Sequence, residues 1–258
     1  MIKFTIVTCT YNAANACQRT FDSVIAQTYP YVEHLIIDGN SKDGTLPLAW
    51  DYQEENAARE SLHDISITSE PDRGLYDAMN KGISKATGDY ILFLNAGDTF
   101  PNPDTLEQIA NGIGDGEQLP AVLYGDTDIV DEQGKFIRHR RLSPPEELSW
   151  HSFKQGMLVC HQAFYARTDI AKQVPFDLKY RFSADVDWCI RIMKEAEKRE
   201  LPLKNIGMVV ANYLDEGMTT NNHKASLMER FQLMSRHYGF FTTLSMHFWF
   251  VLRTFLKK

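Results

Sequence analysis

Carboxylates recur where apolar runs stop. Asp38 closes "HLIIDG", Glu70 and Asp72 follow "DISITS", Asp98 follows "DYILFLN", and Asp126 and Asp128 flank the end of "AVLYGD". Acids gathered on one rim repel one another unless a cation or hydrogen-bond donors sit among them, and a hard divalent ion with oxygen ligands meets that need. The ligand such a rim suits is a nucleoside diphosphate. Asp38 would accept from a uracil N–H or a ribose hydroxyl, and Asp98 would hold a metal bridging both phosphates. Gly97, lacking Cβ, would let the pyrophosphate reach the backbone. Plainer readings stay open for each acid alone. "DGNSKDGT" contains ordinary turn formers ahead of a helix. "NAGD" reads equally as a loop, and Asp72 as a surface turn after Pro71.

The elements that would position these acids alternate. Strands are expected over 3–9, 34–39, 64–70, 89–95 and 121–126, and helices over 14–28, 44–58, 74–88 and 103–113. Thr45 is expected to cap the second helix, and Gly88 to stop the third. Strands alternating with helices through short loops imply βαβ units and a mostly parallel sheet. Their continuous apolar character implies cover on both faces. In such a sheet, ligands sit outside the carboxyl ends of the strands. Beyond this half the pattern loosens into a hairpin over 127–141 turning at Gln133-Gly134. A strong helix with an acidic entry follows over 181–200, then a last strand over 204–214 and an apolar helical tail.

With 258 residues the chain fits one large domain or two small ones, and 43% hydrophobic content supports a real core. A net charge of −7 argues against a nucleic-acid partner. The four cysteines, Cys9, Cys17, Cys160 and Cys189, form no CxxC pair and read as reduced core thiols of a cytoplasmic protein. The N-terminus lacks the features of a signal peptide, and no uninterrupted apolar run is long enough to span a bilayer. Dinucleotide, P-loop, zincin and nucleophile-elbow motifs are all missing.

Three segments, "TIVTCTYNA", "HLIIDGNSKDGT" and above all "SEPDRGLYDAMNKGISKATGDYILFLNAGD", resemble the family-2 inverting glycosyltransferases of the GT-A fold, of the bacterial polysaccharide-biosynthesis type, over roughly residues 3 to 215. The resemblance implies an α/β/α sandwich on a mostly parallel central sheet. It implies a nucleotide-sugar half over about 1–126, a mixed acceptor half over about 127–215 and a helical extension over 216–258. By the same resemblance, Thr8, Thr10 and Tyr11 line the base, Asp38 and Asp72 contact the nucleotide, and Asn80 and Lys81 face the donor pocket. Asp98 stands as the last acid of an Asp-x-Asp metal motif, with Asn95 and Gly97 where carboxylates often sit. The expected cofactor is Mg²⁺ or Mn²⁺, held by one acid, phosphate oxygens and water. The general base of the family lies in a Glu-Asp pair; here Asp185 matches it and Ala184 replaces the Glu. Asp187, two residues on, is the decoy to test beside it. His161 and Gln162 are expected to reach the acceptor or donor sugar, and His223 or Lys224 to close over the diphosphate and its metal.

The expected activity is transfer of a sugar from a nucleotide donor, UDP-linked by expectation, to a saccharide or lipid-linked acceptor in cell-surface polysaccharide assembly. A nucleotidyltransferase and a nucleotide-sugar binding protein without catalysis remain as alternatives. The tail, "HYGFFTTLSMHFWFVLRTFLKK", reads either as a helix in a membrane interface, with Lys257 and Lys258 at the headgroups, or as one packed on protein, including a dimer partner.

Overall fold

Seven successive buried residues, Phe4–Thr10, form β1 and leave neither face for solvent. A strand buried on both sides belongs inside a covered parallel sheet. β2 (Val32–Asp38) and β4 (Tyr90–Phe93) flank it in parallel, and β3 (Asp64–Ser69) extends the sheet beyond β2. Between them run α1 (Ala14–Ile25), α2 (Thr45–Ala58) and α3 (Leu75–Lys85). Then come α4 (Thr105–Gly112) and β5 (Val122–Val130). The computed structural model describes residues 1–59, 63–114, 118–215 and 223–256, without the side chains of 223, 224, 251 and 253–256.

The second half completes the same sheet. β6 (Phe136–His139) folds back on the end of β5 in antiparallel register across a turn in which Gly134 takes φ +78°. β7 (Phe164–Arg167) inserts antiparallel between β4 and the first residues of β5. α5 (Thr168–Gln173) and α6 (Ala184–Lys198) follow, and β8 (Leu203–Leu214) runs parallel to β5. The order is β3-β2-β1-β4-β7-β5-β6, with β8 on β5. β5 continues through residue 126, so the two halves share one sheet. Two local expectations differ. Gly44 occupies the cap of α2, with Thr45 the first helical residue, and α3 ends at Lys85, three residues before Gly88. All four cysteines are buried free thiols.

Two helices follow, α7 (His223–Tyr238) and α8 (Phe240–Leu256), joined at Gly239 with φ +86°. Buried charge ties α7 to the domain. His237 Nε2 donates to Asp187 Oδ1 at 2.8 Å, and Arg191 pairs with the other oxygen of that carboxylate. Glu229 accepts from the backbone N–H groups of Arg181, Phe182 and Ser183 at 2.7, 2.8 and 2.7 Å. One carboxylate thus fixes the three residues that lead into α6. No helix among the described residues is long and apolar enough to cross a membrane.

Candidate active site

A cleft of about 850 Å³ opens at the carboxyl ends of β1 and β4, between the loops after β2 and β3 and the start of α6. Thr10, Tyr11, Asp72, Asn95, Asp98, His161, Gln162 and Asp185 line it together, drawn from five separate stretches of chain.

The donor side is built over a glycine. A Cβ on Gly39 would lie 2.6 Å from Asp72 Oδ2 and 3.3 Å from the Tyr11 ring. The bare backbone therefore lets an acid and an aromatic meet. Asp72 Oδ1 accepts from the Gly74 N–H at 2.8 Å, which fixes its direction, and Tyr11 is 67% exposed, leaving a ring face open.

Deeper in, Asp98 is 3% exposed. Its Oδ2 accepts from Gln162 Nε2 at 2.8 Å and its Oδ1 from the Leu214 N–H at 3.1 Å. Burial pushes its carboxyl up to about 6, against the pull of those two donors, His161 and Arg19. Gln162, fully buried, spends its own carbonyl on the Cys160 thiol.

A relay crosses the floor. Asn95 Nδ2 lies 3.0 Å from His161 Nε2, and the other ring nitrogen, Nδ1, lies 3.3 Å from Asp185 Oδ2. Asp185 Oδ1 accepts from the Tyr76 hydroxyl at 3.2 Å and from the Val186 N–H at 2.9 Å. Burial drives the Asp185 carboxyl upward. The hydrogen bond and charge of His161 and the charge of Arg230 outweigh it, holding the group below the usual carboxylate range. Asn95 Oδ1 is buried without a hydrogen-bond partner, an oxygen acceptor at the cleft wall.

Several residues expected in the site lie outside its lining. Thr8 is fully buried; its hydroxyl donates to the Leu94 carbonyl at 2.8 Å and accepts from His34 Nε2 at 2.9 Å. Asp38 is fully buried, and its two oxygens accept from Thr10, Ser69 and the hydroxyl and N–H of Ser41. Burial raises that carboxyl, but these donors bring it below its ordinary range. With the acceptor positions of the carboxylate filled, Asp38 organises the loop after β2 rather than offering an acceptor to a base. Asn80 makes a two-way staple to the Phe176 backbone, and Lys81 ties α3 to the Pro71 carbonyl and to Glu70. Asp187 belongs to the buried pairing with α7. Asp128 pairs with His139 at the β5–β6 edge, and Asp126 lies within β5. The side chains of His223 and Lys224 lie outside the described residues.

Gly97 is also corrected. It needs to be glycine, with φ +101°, but what approaches it is protein: a Cβ there would meet Leu214 Cδ2 at 2.8 Å and Ala16 at 3.7 Å. Gly97→Ala is expected to cost about 2–4 kcal/mol, from left-handed backbone strain and overpacking together. Thermal unfolding measures it, and an unchanged midpoint would show that the loop after β4 can re-form without the glycine.

Sequence reading missed Gly39, Tyr76, Arg181, Phe182, Tyr213 and Leu214 as lining residues. The turn-forming "DGN" was a usable signal for Gly39; nothing local marks the others.

Residues 5–174, more than half of the chain, match the family Glycosyl transferase family 2. The chain belongs to this family. Its GT-A architecture is the sandwich described above, and the chain is a transferase. A PGL/p-HBAD biosynthesis glycosyltransferase of Mycobacterium tuberculosis (strain ATCC 25177 / H37Ra) is 33% identical over 219 residues, 84% of this chain and 79% of that protein. The solved structure of S. aureus TarS 1-349 with UDP-GlcNAc superposes with a TM-score of 0.69 at 17% identity, covering 90% of this chain. This chain spans 65% of that TarS chain's length. Glucosyl-3-phosphoglycerate synthase of Mycobacterium tuberculosis, solved with Mn²⁺, UDP and glucosyl-3-phosphoglycerate, gives 0.62 at 15% identity, over 91% of this chain and 80% of that one. At these identities the two structures speak for the fold.

Proposed function

We propose that this family-2 enzyme transfers a sugar, with inversion, from a nucleoside-diphosphate donor to a hydroxyl acceptor, with Asp185 as general base. The observation that carries the reading is Asp185 itself: a carboxylate held below the usual carboxylate range at the wall of a cleft that Tyr11 and Asp72 also line. Tyr11 would stack on the base, and Asp72 would accept from it or from the ribose. UDP is the donor nucleotide we favour. The acceptor is a saccharide or lipid-linked saccharide of cell-surface polysaccharide assembly, and the enzyme works in the cytoplasm.

In the reaction, Asp185 takes the proton of the acceptor hydroxyl as its oxygen bonds to the anomeric carbon. The bond from that carbon to the diphosphate breaks on the opposite face, and the nucleoside diphosphate leaves with the electron pair. Single displacement inverts the centre. Tyr76 and His161 aim the carboxylate, each through one hydrogen bond.

The residues fit a divalent cation of the Mg²⁺ or Mn²⁺ type. Asp98 and the unpartnered Asn95 Oδ1 offer hard oxygen at the cleft wall. No group of three or more His, Cys, Asp or Glu able to hold a metal ion occurs among the described residues. Asp98 and Asn95 would therefore hold the ion only together with donor phosphates and water, the habit of Mg²⁺ sites. Bound there, it neutralises charge developing on the departing diphosphate.

A thermal-shift screen of UDP-, GDP-, dTDP- and CMP-sugars, each with and without Mn²⁺, tests the donor side. At a hundredfold excess over Kd, a bound donor stabilises by about 2.7 kcal/mol. The UDP-sugars are expected to shift the midpoint most, and only fully with Mn²⁺. Unfolding unmoved by any nucleotide would remove the donor site.

A further inference from the structure

Helix α8 has its apolar side outward. Thr243, Met246, His247 and Phe250 turn inward, with Thr243 fully buried and His247 edge-on to Phe231 of α7 at 5.0 Å. On the opposite side Phe241, Leu244, Phe248 and Leu252 recur three or four residues apart and are exposed, Phe241 by 82% and Phe248 by 66%. Trp249 and Phe240 widen the stripe. Single exposed apolar residues are ordinary, but a contiguous aromatic stripe on a water-soluble surface marks something that covers it.

Charge selects what covers it. Residues 223–258 carry six Lys or Arg and one acid, Glu229. Arg230 and Arg236 are directed to Asp185 and Asp177 of the domain, while Arg253, Lys257 and Lys258 follow the stripe directly in sequence, so its end is basic although the whole chain has a net charge of −7. A second copy docked through the same face would bring two basic segments together, and like charge there is unfavourable. An anionic bilayer meets both features: headgroups attract the cations, and the interface accepts Phe, Trp and Leu side chains.

We propose that α8 lies in the plane of an anionic lipid surface, with Phe241, Leu244, Phe248, Trp249 and Leu252 inserted among the headgroups. Asp187 with His237, and Glu229 with the 181–183 backbone, then tie the membrane-borne helices to the start of α6. Glycosyl transfer is not needed for this contact, so it stands or falls apart from the function proposed above.

Co-sedimentation of the full chain with phosphatidylglycerol–phosphatidylcholine vesicles tests it, with no donor or acceptor present. The protein is expected to pellet with them, and at least about tenfold less well with phosphatidylcholine alone, because each basic residue near an anionic surface contributes about 1 kcal/mol. Phe241→Ser combined with Phe248→Ser is expected to lower partitioning at least about tenfold. Both positions are exposed, so circular dichroism and thermal unfolding should match wild type. A wild type left in the supernatant with either vesicle overturns the proposal, as does a double variant that binds equally well. A wild-type dimer in light scattering that the double variant splits, without vesicle binding, also overturns it and makes the stripe a self-interface.

Discussion

Asp185→Asn is expected to lower sugar transfer roughly a hundredfold to ten-thousandfold, the range set by loss of a positioned general base. The substitution is nearly isosteric. An Asn side chain can still accept from the Tyr76 hydroxyl and the Val186 N–H through its oxygen, so the start of α6 should keep its shape. What it cannot do is take the acceptor proton. Donor binding, read as a thermal shift with sugar nucleotide and Mn²⁺, should persist in the variant. That combination separates a lost base from a lost fold or a lost donor site. Asp187→Asn is the contrast. It removes charge from the pairing with Arg191 and His237, so it should weaken the attachment of α7 and lower the unfolding midpoint without this selective loss of transfer. Transfer at the wild-type rate by Asp185→Asn would remove Asp185 from the reaction. The pH profile adds an independent reading. Asp185 is held below the ordinary carboxylate range, so it stays ionised well into acid. A loss of activity between pH 7 and 5 must then come from another group.

The sequence carried the plane of the site better than its contents. The strand-end rule put acids and glycines on one rim, and the structure brings Asp72, Asp98 and Asp185 into one cleft with Tyr11, His161 and Gln162. It could not say which acids were already satisfied. Asp38 sits at a strand end as Asp98 does, but one of its donors, Ser69, arrives from β3, and no local pattern in "HLIIDG" announces that partner. Thr8 and Thr10 share a face of β1, yet only Thr10, the last residue of the strand, reaches the opening; two residues of depth decide it. Gly97 was legible as a point of close approach, because only a missing Cβ explains glycine there. Its neighbour, Leu214 of β8, depends on how the sheet closes. Asn80 and Lys81 fall on a helix whose rotation is set by packing, so their direction was open until α3 placed Asn80 against Phe176 and Lys81 against the Pro71 carbonyl and Glu70. The strand-like run after Gln162 was legible, but nothing in Phe164–Arg167 marked it as an antiparallel insertion between β4 and β5.

Asp98 joins stability, pH and cation in one side chain, and Asp98→Asn should expose the link. Its carboxyl is lifted by burial from 3.8 to about 6, which corresponds to roughly 3 kcal/mol of disfavour for the ionised form. The folded state therefore holds this proton more tightly than the unfolded chain does. The stability it contributes is complete below about pH 4 and is lost as pH rises through about 6. Asp98→Asn removes the buried charge, at the cost of turning an amide N–H₂ toward Gln162 or forcing that side chain to flip away from Cys160. The variant should therefore gain stability relative to wild type between pH 4 and 7, with the difference flat above that. A cation bound beside the carboxylate must displace the same proton. In the wild type, the Mn²⁺ concentration giving half-maximal stabilisation by a UDP-sugar should then rise about tenfold for each pH unit below about 6. In Asp98→Asn that dependence should vanish and the Mn²⁺ requirement should weaken or disappear, with transfer reduced. Equal Mn²⁺ dependence in the two proteins across pH 5 to 8 would mean that the cation, if one is used, is held elsewhere. The buried charge of Asp98 would then be a cost of the fold with no return in binding.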